Sequence, residues 1–214
     1  MATQSNRAMV SETSICNQAL TWLGQRPISS IDESSTTAEW MRRNYPFLRD
    51  AVLSERMWTF ATARDMSISE DRDAWGSMYV HPIPLNWLAV YRVFLSVNQY
   101  GQGGTPDPNW RLEDGGVLSS EGTVYLWGLK QVTDTGKFSS LFNQALAARV
   151  AADAAIPLTE NRQLQREMWA LYQAKLADAA ARDGQQGSNE IIQSNSLLTA
   201  RTTYGRGDYG NWLP

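Results

Sequence analysis

Imidazole and thiol, the side chains most used for nucleophilic and near-neutral acid–base chemistry, are scarce in this sequence. In 214 residues there is one histidine, His81, and one cysteine, Cys16. A Ser-His or Cys-His nucleophile would have to take that single imidazole as its base. His81 stands in Val80-His81-Pro82-Ile83-Pro84, which reads as a loop, and no Gly-x-Ser-x-Gly elbow accompanies it. We expect His81 to pack in that loop or lie at the surface. One Cys and one His leave only carboxylates as further ligands, so no metal and no cofactor are expected. Cys16 falls among apolar residues at helical spacing and should be a small buried hydrophobe.

Two carboxylates suffice to hydrolyse a glycosidic bond. Glu12, Glu39 and Glu55 are the candidates, yet each lies where a helix surface or a helix cap would put it. Gly101-Gln102-Gly103-Gly104 lacks the lysine of a phosphate-binding loop and opens no helix; it reads as an exposed loop running to Pro108. Arg42-Arg43 shares a helix with Glu39 and Asp50, the pattern of a solvated face. Arg206-Gly207-Asp208 matches a cell-adhesion tripeptide, but so short a match recurs by chance. A net charge of -3 argues against a basic nucleic-acid footprint. Mild acidity does suit a conduit that DNA passes through without being held.

The elements that would position these residues alternate in period. Ser11 is a candidate N-cap for a helix to Leu23, with Gly24 and Pro27 as its stop. Thr36-Thr37-Ala38-Glu39 reads as a capping box opening a helix to about Met57. Ala38, Met41, Tyr45, Leu48 and Val52 form its stripe, and Pro46 should kink it near Asn44 and Tyr45. Strand patterns cover Trp58 to Ile68, Trp87 to Val97 and Thr123 to Val132, and Asp114-Gly115-Gly116 signals a hairpin. Helix returns from Phe138, with Leu141, Ala145, Ala148 and Ala152 as one stripe, Pro157 as its end and Thr159 as the next cap. The last helix carries two stripes. Leu164, Met168 and Leu171 form one, and Trp169, Tyr172 and Leu176 the other; the second face suits either a broader core or a neighbouring subunit, and its residues are candidates for a subunit interface. Nine tryptophans in a chain of modest charge also favour large contacts. No apolar run approaches the roughly 20 residues that span a bilayer, and the N-terminus lacks the pattern of a signal peptide.

Read in order, these features resemble the head-to-tail adaptor (tail tubular protein A) family of short-tailed bacteriophages. The likeness rests on Ala19-Leu20 with Leu23-Gly24 and Pro27, then Arg49-Asp50 with Trp58-Thr59-Phe60, then Ala147 to Leu158 and Leu171 to Ala177. It implies an α+β fold: a helical bundle from the N- and C-terminal helices, a small central antiparallel β region and an extended C-terminal arm. Residues 1–10 would be a loose N-terminus. Residues 11–184 would be the adaptor body, with helices in 11–57 and 138–184 around a β region at 58–135. Residues 185–214, poor in charge and dotted with isolated apolar residues, would be an arm that orders on a partner, or else a tail folded back on its own domain. The resemblance implies a virion protein, assembled in the host cytoplasm, that forms a ring of twelve copies. That ring would sit below the portal protein, carry the tail tube or nozzle and extend the channel for double-stranded DNA. The arm would grip the portal through Ile191, Ile192, Leu197, Leu198, Tyr204, Tyr209 and Trp212. No enzymatic activity and no membrane contact are implied. A tail-associated peptidoglycan hydrolase, or a stopper or tail-completion protein, is the alternative.

Overall fold

Ser11 caps the first helix, α1 (Glu12–Trp22), because its Oγ accepts the Ser14 N–H at 3.1 Å while Ser14 Oγ accepts the Ser11 N–H at 2.9 Å. The computed structural model describes residues 10–98 and 103–185. Gly24 takes the left-handed conformation (φ 67°) that ends α1. Its N–H bonds Thr21 O at 3.1 Å, and the Gln25 N–H bonds Leu20 O at 2.9 Å, so the last carbonyls are satisfied. The Asn17 amide then holds the returning loop by exchanging two hydrogen bonds with the Ile28 backbone, at 2.8 and 2.9 Å.

Helix α2 (Thr36–Ser54) is capped one residue earlier than its sequence suggests. Ser35 is the N-cap and its Oγ accepts the Ala38 N–H at 3.1 Å. Thr36 is already helical, so Glu39 lies too far along to reach back and instead meets Arg43 at 2.7 Å. The cap is aligned by Glu33, which accepts the Ser35 hydroxyl at 2.7 Å, the Ser29 hydroxyl at 2.6 Å and the Ser29 N–H at 2.7 Å. The helix runs unbroken through Pro46 and ends at Ser54, short of Met57. Proline leaves the Arg42 carbonyl without its helical donor, and residue 42 is exposed, so water can take that place.

Six short strands follow: β1 (Thr62–Ile68), β2 (Tyr79–Pro82), β3 (Trp87–Phe94), β4 (Arg111–Glu113), β5 (Gly116–Ser119) and β6 (Thr123–Lys130). They form two antiparallel three-stranded sheets, ordered β1-β6-β3 and β2-β5-β4. Asp114 (φ 49°) and Gly115 (φ 73°) make the two-residue turn between β4 and β5, as the Asp-Gly signal predicts. Residues 59–61 form a 3-10 turn, so the first strand starts at Thr62 and not at Trp58. Trp58 is wholly buried and donates its indole N–H to Val52 O at 3.1 Å. Gly128 lets β3 and β6 close up: a Cβ there would stand 2.1 Å from Ala89 O.

Helix α3 (Ser140–Thr159) departs most from its single predicted stripe. Ala145, Ala147, Ala148, Ala151, Ala152, Ala154 and Ala155 are all buried, and α1, α2 and α4 (Arg162–Gly184) pack against it. Pro157 does not end it; the helix continues to Thr159, Glu160 turns left-handed (φ 53°), and Asn161, not Thr159, caps α4 by accepting the Gln163 and Leu164 N–H groups at 3.0 Å. The result is an α+β fold, with four helices and two small antiparallel sheets. The principal core joins the helices to the Leu129 end of β6, and a second lies between the sheets at Val90, Val93, Val117, Val124 and Leu126.

The hydroxyls of Ser29 and Ser35, with the Ser29 N–H, hold the Glu33 carboxyl down to about 2. A folded-state value below the unfolded one means a contribution that is present at neutral pH and lost as pH falls from about 4.5 toward 2. Glu33→Gln is expected to lower the urea midpoint at neutral pH, with the gap to the native chain closing through that window. A gap that stays constant down to about pH 2 would dismiss Glu33 as the ionised brace of the α2 cap.

Candidate subunit interface

The residues expected to face a neighbouring subunit are turned mostly inward. Tyr172 has no solvent exposure, and Trp169 and Leu176 are half-buried against the principal core. The stripe continues through Ala179 and Asp183, both buried, so it is the side of α4 that meets the rest of the subunit. Its polar atoms are used internally. The Tyr172 hydroxyl donates to Glu55 Oε1, burial followed by that hydrogen bond raising the phenol pKa. Arg149 of α3 lies 3.6 Å from the same carboxylate and 2.7 Å from Asp153, with its guanidinium 4.6 Å from the Trp169 ring centre. Asp183 accepts the Thr59 N–H at 3.1 Å and the Thr59 hydroxyl at 2.7 Å, tying the end of α4 to the segment that enters β1. Leu164, Met168 and Leu171 pack on the same core, and Trp169 and Leu176 keep part of their surface exposed. Both stripes are large and apolar; only the continuation to Ala179 distinguishes the deeper one in the sequence. The arm residues Ile191, Ile192, Leu197, Leu198, Tyr204, Tyr209 and Trp212 lie outside the described residues.

His81 is in strand β2, not in a loop, and is wholly buried between the Ser67 hydroxyl at 3.2 Å and Glu121 O at 2.9 Å. Pro82 does not forbid the strand, because β2 is an edge and Pro82 is its last residue. Asp107, in the segment expected to be exposed, is buried and accepts the Ser119 hydroxyl. Cys16 is buried, and desolvation followed by the charge of Glu12 pushes its thiol up to about 12, so it is held as an unreactive thiol. The three carboxylates weighed for hydrolysis are engaged separately, Glu12 with Arg49 at 3.9 Å, Glu39 with Arg43 and Glu55 in the Arg149 network. Arg49 itself is buried and bonded to Asp50 at 2.9 Å, while Asp50 also accepts from Gln131 at 2.7 Å. Among the described residues no group of three or more His, Cys, Asp or Glu side chains could hold a metal. No helix among them is long and apolar enough to cross a membrane.

The surface that does stand open is one face of the β1-β6-β3 sheet. Register places Arg64 and Arg92 on either side of Trp127, and Met66 and Phe94 on either side of Tyr125. Paired residues of an antiparallel sheet share a face. The guanidinium carbons lie 5.4 and 5.1 Å from the Trp127 ring centre. Gly103 sits flat on Phe94, where a Cβ would come within 2.3 Å of the ring. Leu129 and its β3 partner Ala89 pack against the helical core, and beyond them the described residues line a groove of about 280 Å³. Met66 and Ile68 are 53% and 66% exposed along it. The sequence marks these positions as strand, and it gives no sign that one face would lack a cover.

A second exposed feature is the turn between β1 and β2. Asp73 accepts the Ser77 N–H at 2.7 Å and the Ser77 hydroxyl at 2.9 Å, and its N–H donates to Met78 O at 2.9 Å. At the tip of this braced turn Trp75 is 89% exposed.

Because Trp169 and Tyr172 serve the subunit's own core, their loss should appear in folding. Trp169→Ala is expected to cost about 2–4 kcal/mol of stability, and Tyr172→Phe about 1–2 kcal/mol, both read from denaturant midpoints. A Trp169→Ala chain of native stability with weakened self-association would return that stripe to the subunit interface.

Compared with known proteins, the chain matches no family model and no curated protein.

Proposed function

We propose that the protein is a structural subunit of a short-tailed phage particle, assembled as a ring of twelve copies between the portal protein and the tail nozzle. In this role it has no substrate. It binds a portal above, copies of itself on either side and the nozzle below, and double-stranded DNA passes through the ring without being read. The ordered resemblance in the sequence supports this reading, and so does the succession of two helices, a β region and two helices. The observation that carries it is the open sheet face, where Met66 and Ile68 stand exposed beside Tyr125 and Trp127 in a subunit whose own two cores are already filled. Apolar surface of this kind on an ordered element marks a place where another protein binds. Phe47 on α2, 74% exposed, is a further point of contact of the same type. The net charge of -3 agrees with a channel wall that does not hold phosphate.

Native mass, measured alone and after mixing with the portal ring of the same phage, tests the reading. The expected outcome is a complex carrying about one copy per portal subunit. Absence of any association with the portal would remove the head-to-tail role. A chain truncated after residue 188 is expected to lose portal attachment while keeping its helical spectrum, and full retention would show that the arm is not the clamp.

A further inference from the structure

Two surface features of this chain are complementary to each other. One is a knob. Trp75 projects from a hairpin closed by the Arg72–Tyr79 bridge and by the Val80 N–H to Asp71 O bond at 2.9 Å. Asp73 braces the turn from inside, and Arg111 of β4 lies 3.8 Å from that carboxylate, tying the hairpin to the neighbouring sheet. Gly76 supplies the positive φ (68°) the turn requires. An indole held on such a frame loses little freedom when it binds. Its flanks are net acidic, since Glu70 and Asp71 are exposed beside it with Arg72 as the one exposed cation among them.

The other is a socket. The groove on the β1-β6-β3 face is floored by Trp127 and Tyr125 and walled by Met66 and Phe94. Arg64 and Arg92 both stand exposed at its Trp127 end. Asp65 is the single carboxylate among its described lining residues. The groove is thus apolar at its floor and cationic at its Trp127 end, and the knob is apolar at its tip and anionic at its flanks.

We propose that Trp75 of one copy seats in the Trp127 groove of the next copy around the ring. The contact rests on the ring reading above and gives it a specific lateral joint. It is heterologous: the knob of one subunit enters the socket of the next, the kind of contact that generates a ring when the rotation closes. The incoming indole buries on the order of 200 Å² against Met66, Phe94 and Trp127. The paired arginines add attraction to its π face. Glu70 and Asp71 approach Arg64 and Arg92, which sets the direction of docking and disfavours knob against knob. A tryptophan seated among aromatic and arginine side chains has the composition of an interface hot spot.

The test uses the full chain, with native mass followed over a concentration series, alone and on the portal ring. The native chain is expected to close a ring in at least one condition. Trp75→Ala and Met66→Arg, both at exposed positions, are expected to keep the native helical spectrum and melting temperature. Each should need about tenfold more protein, or greater, to reach half-assembly. An equimolar mixture of the two variants should stop at dimers of one chain of each kind, because one intact knob and one intact socket remain between them. Native half-assembly of Trp75→Ala overturns the contact and leaves the ring standing. A native chain that builds no ring in either condition overturns the ring reading and this contact with it.

Discussion

The close packing of α3 against three other helices is the constraint on which the rest of the structure depends. A helix can be surrounded only if its side chains are short enough for neighbours to approach, and α3 meets that condition with a run of buried alanines. Its N-terminal turn then makes the link to the sheet. Phe142 packs edge-on to Trp58 and Phe60, with ring centres 5.0 Å apart in both cases, and Phe138 lies 4.7 Å from Phe142. Trp58 and Phe60 immediately precede β1, so this aromatic cluster sets where the sheet leaves the helical body. Among the described residues, Arg64, Met66 and Ile68 of that sheet stay exposed.

Polar groups secure the same arrangement by bonding inside the subunit. Arg149, Tyr172, Glu55 and Asp153 join α2, α3 and α4 through one connected set of contacts. Asp183 fixes the far end of α4 to Thr59, and Asp50 holds Gln131 just after β6. His81 and Asp107 do the same in the smaller sheet. Each group would be costly to bury alone, and each has partners that remove that cost. Among the described residues, the one histidine and the one cysteine are therefore committed to the interior.

That commitment is consistent with a protein whose work is association. A rigid subunit with filled cores offers partners a fixed shape, and binding then requires little reordering. The braced Trp75 turn and the groove over Trp127 both have this character. A lateral joint of limited area suits a ring assembled on a template, where a neighbour already in place raises the local concentration of its partner.

The local signals in the sequence were sufficient wherever one residue type decides a backbone conformation. Gly24 ended α1 and Asp114-Gly115 made the hairpin because positive φ strongly favours those residues. Ser11 capped α1 for an equally local reason. The α+β order was legible from the change of period between helices and strands. Pro46 lies within α2 as read, but Pro157 was a weaker guide: it lies within α3 on an exposed side and does not end the helix. Burial on every side of α3, the inward turn of Trp169 and Tyr172, and the pairing of His81 in an edge strand depend on which element packs against which. No local pattern carries that information, since an apolar stripe looks the same whether a helix or a neighbouring molecule covers it. The open sheet face has the same origin. Its residues were readable as strand, but only the tertiary packing decided that, among the described residues, Met66 and Ile68 would stand exposed.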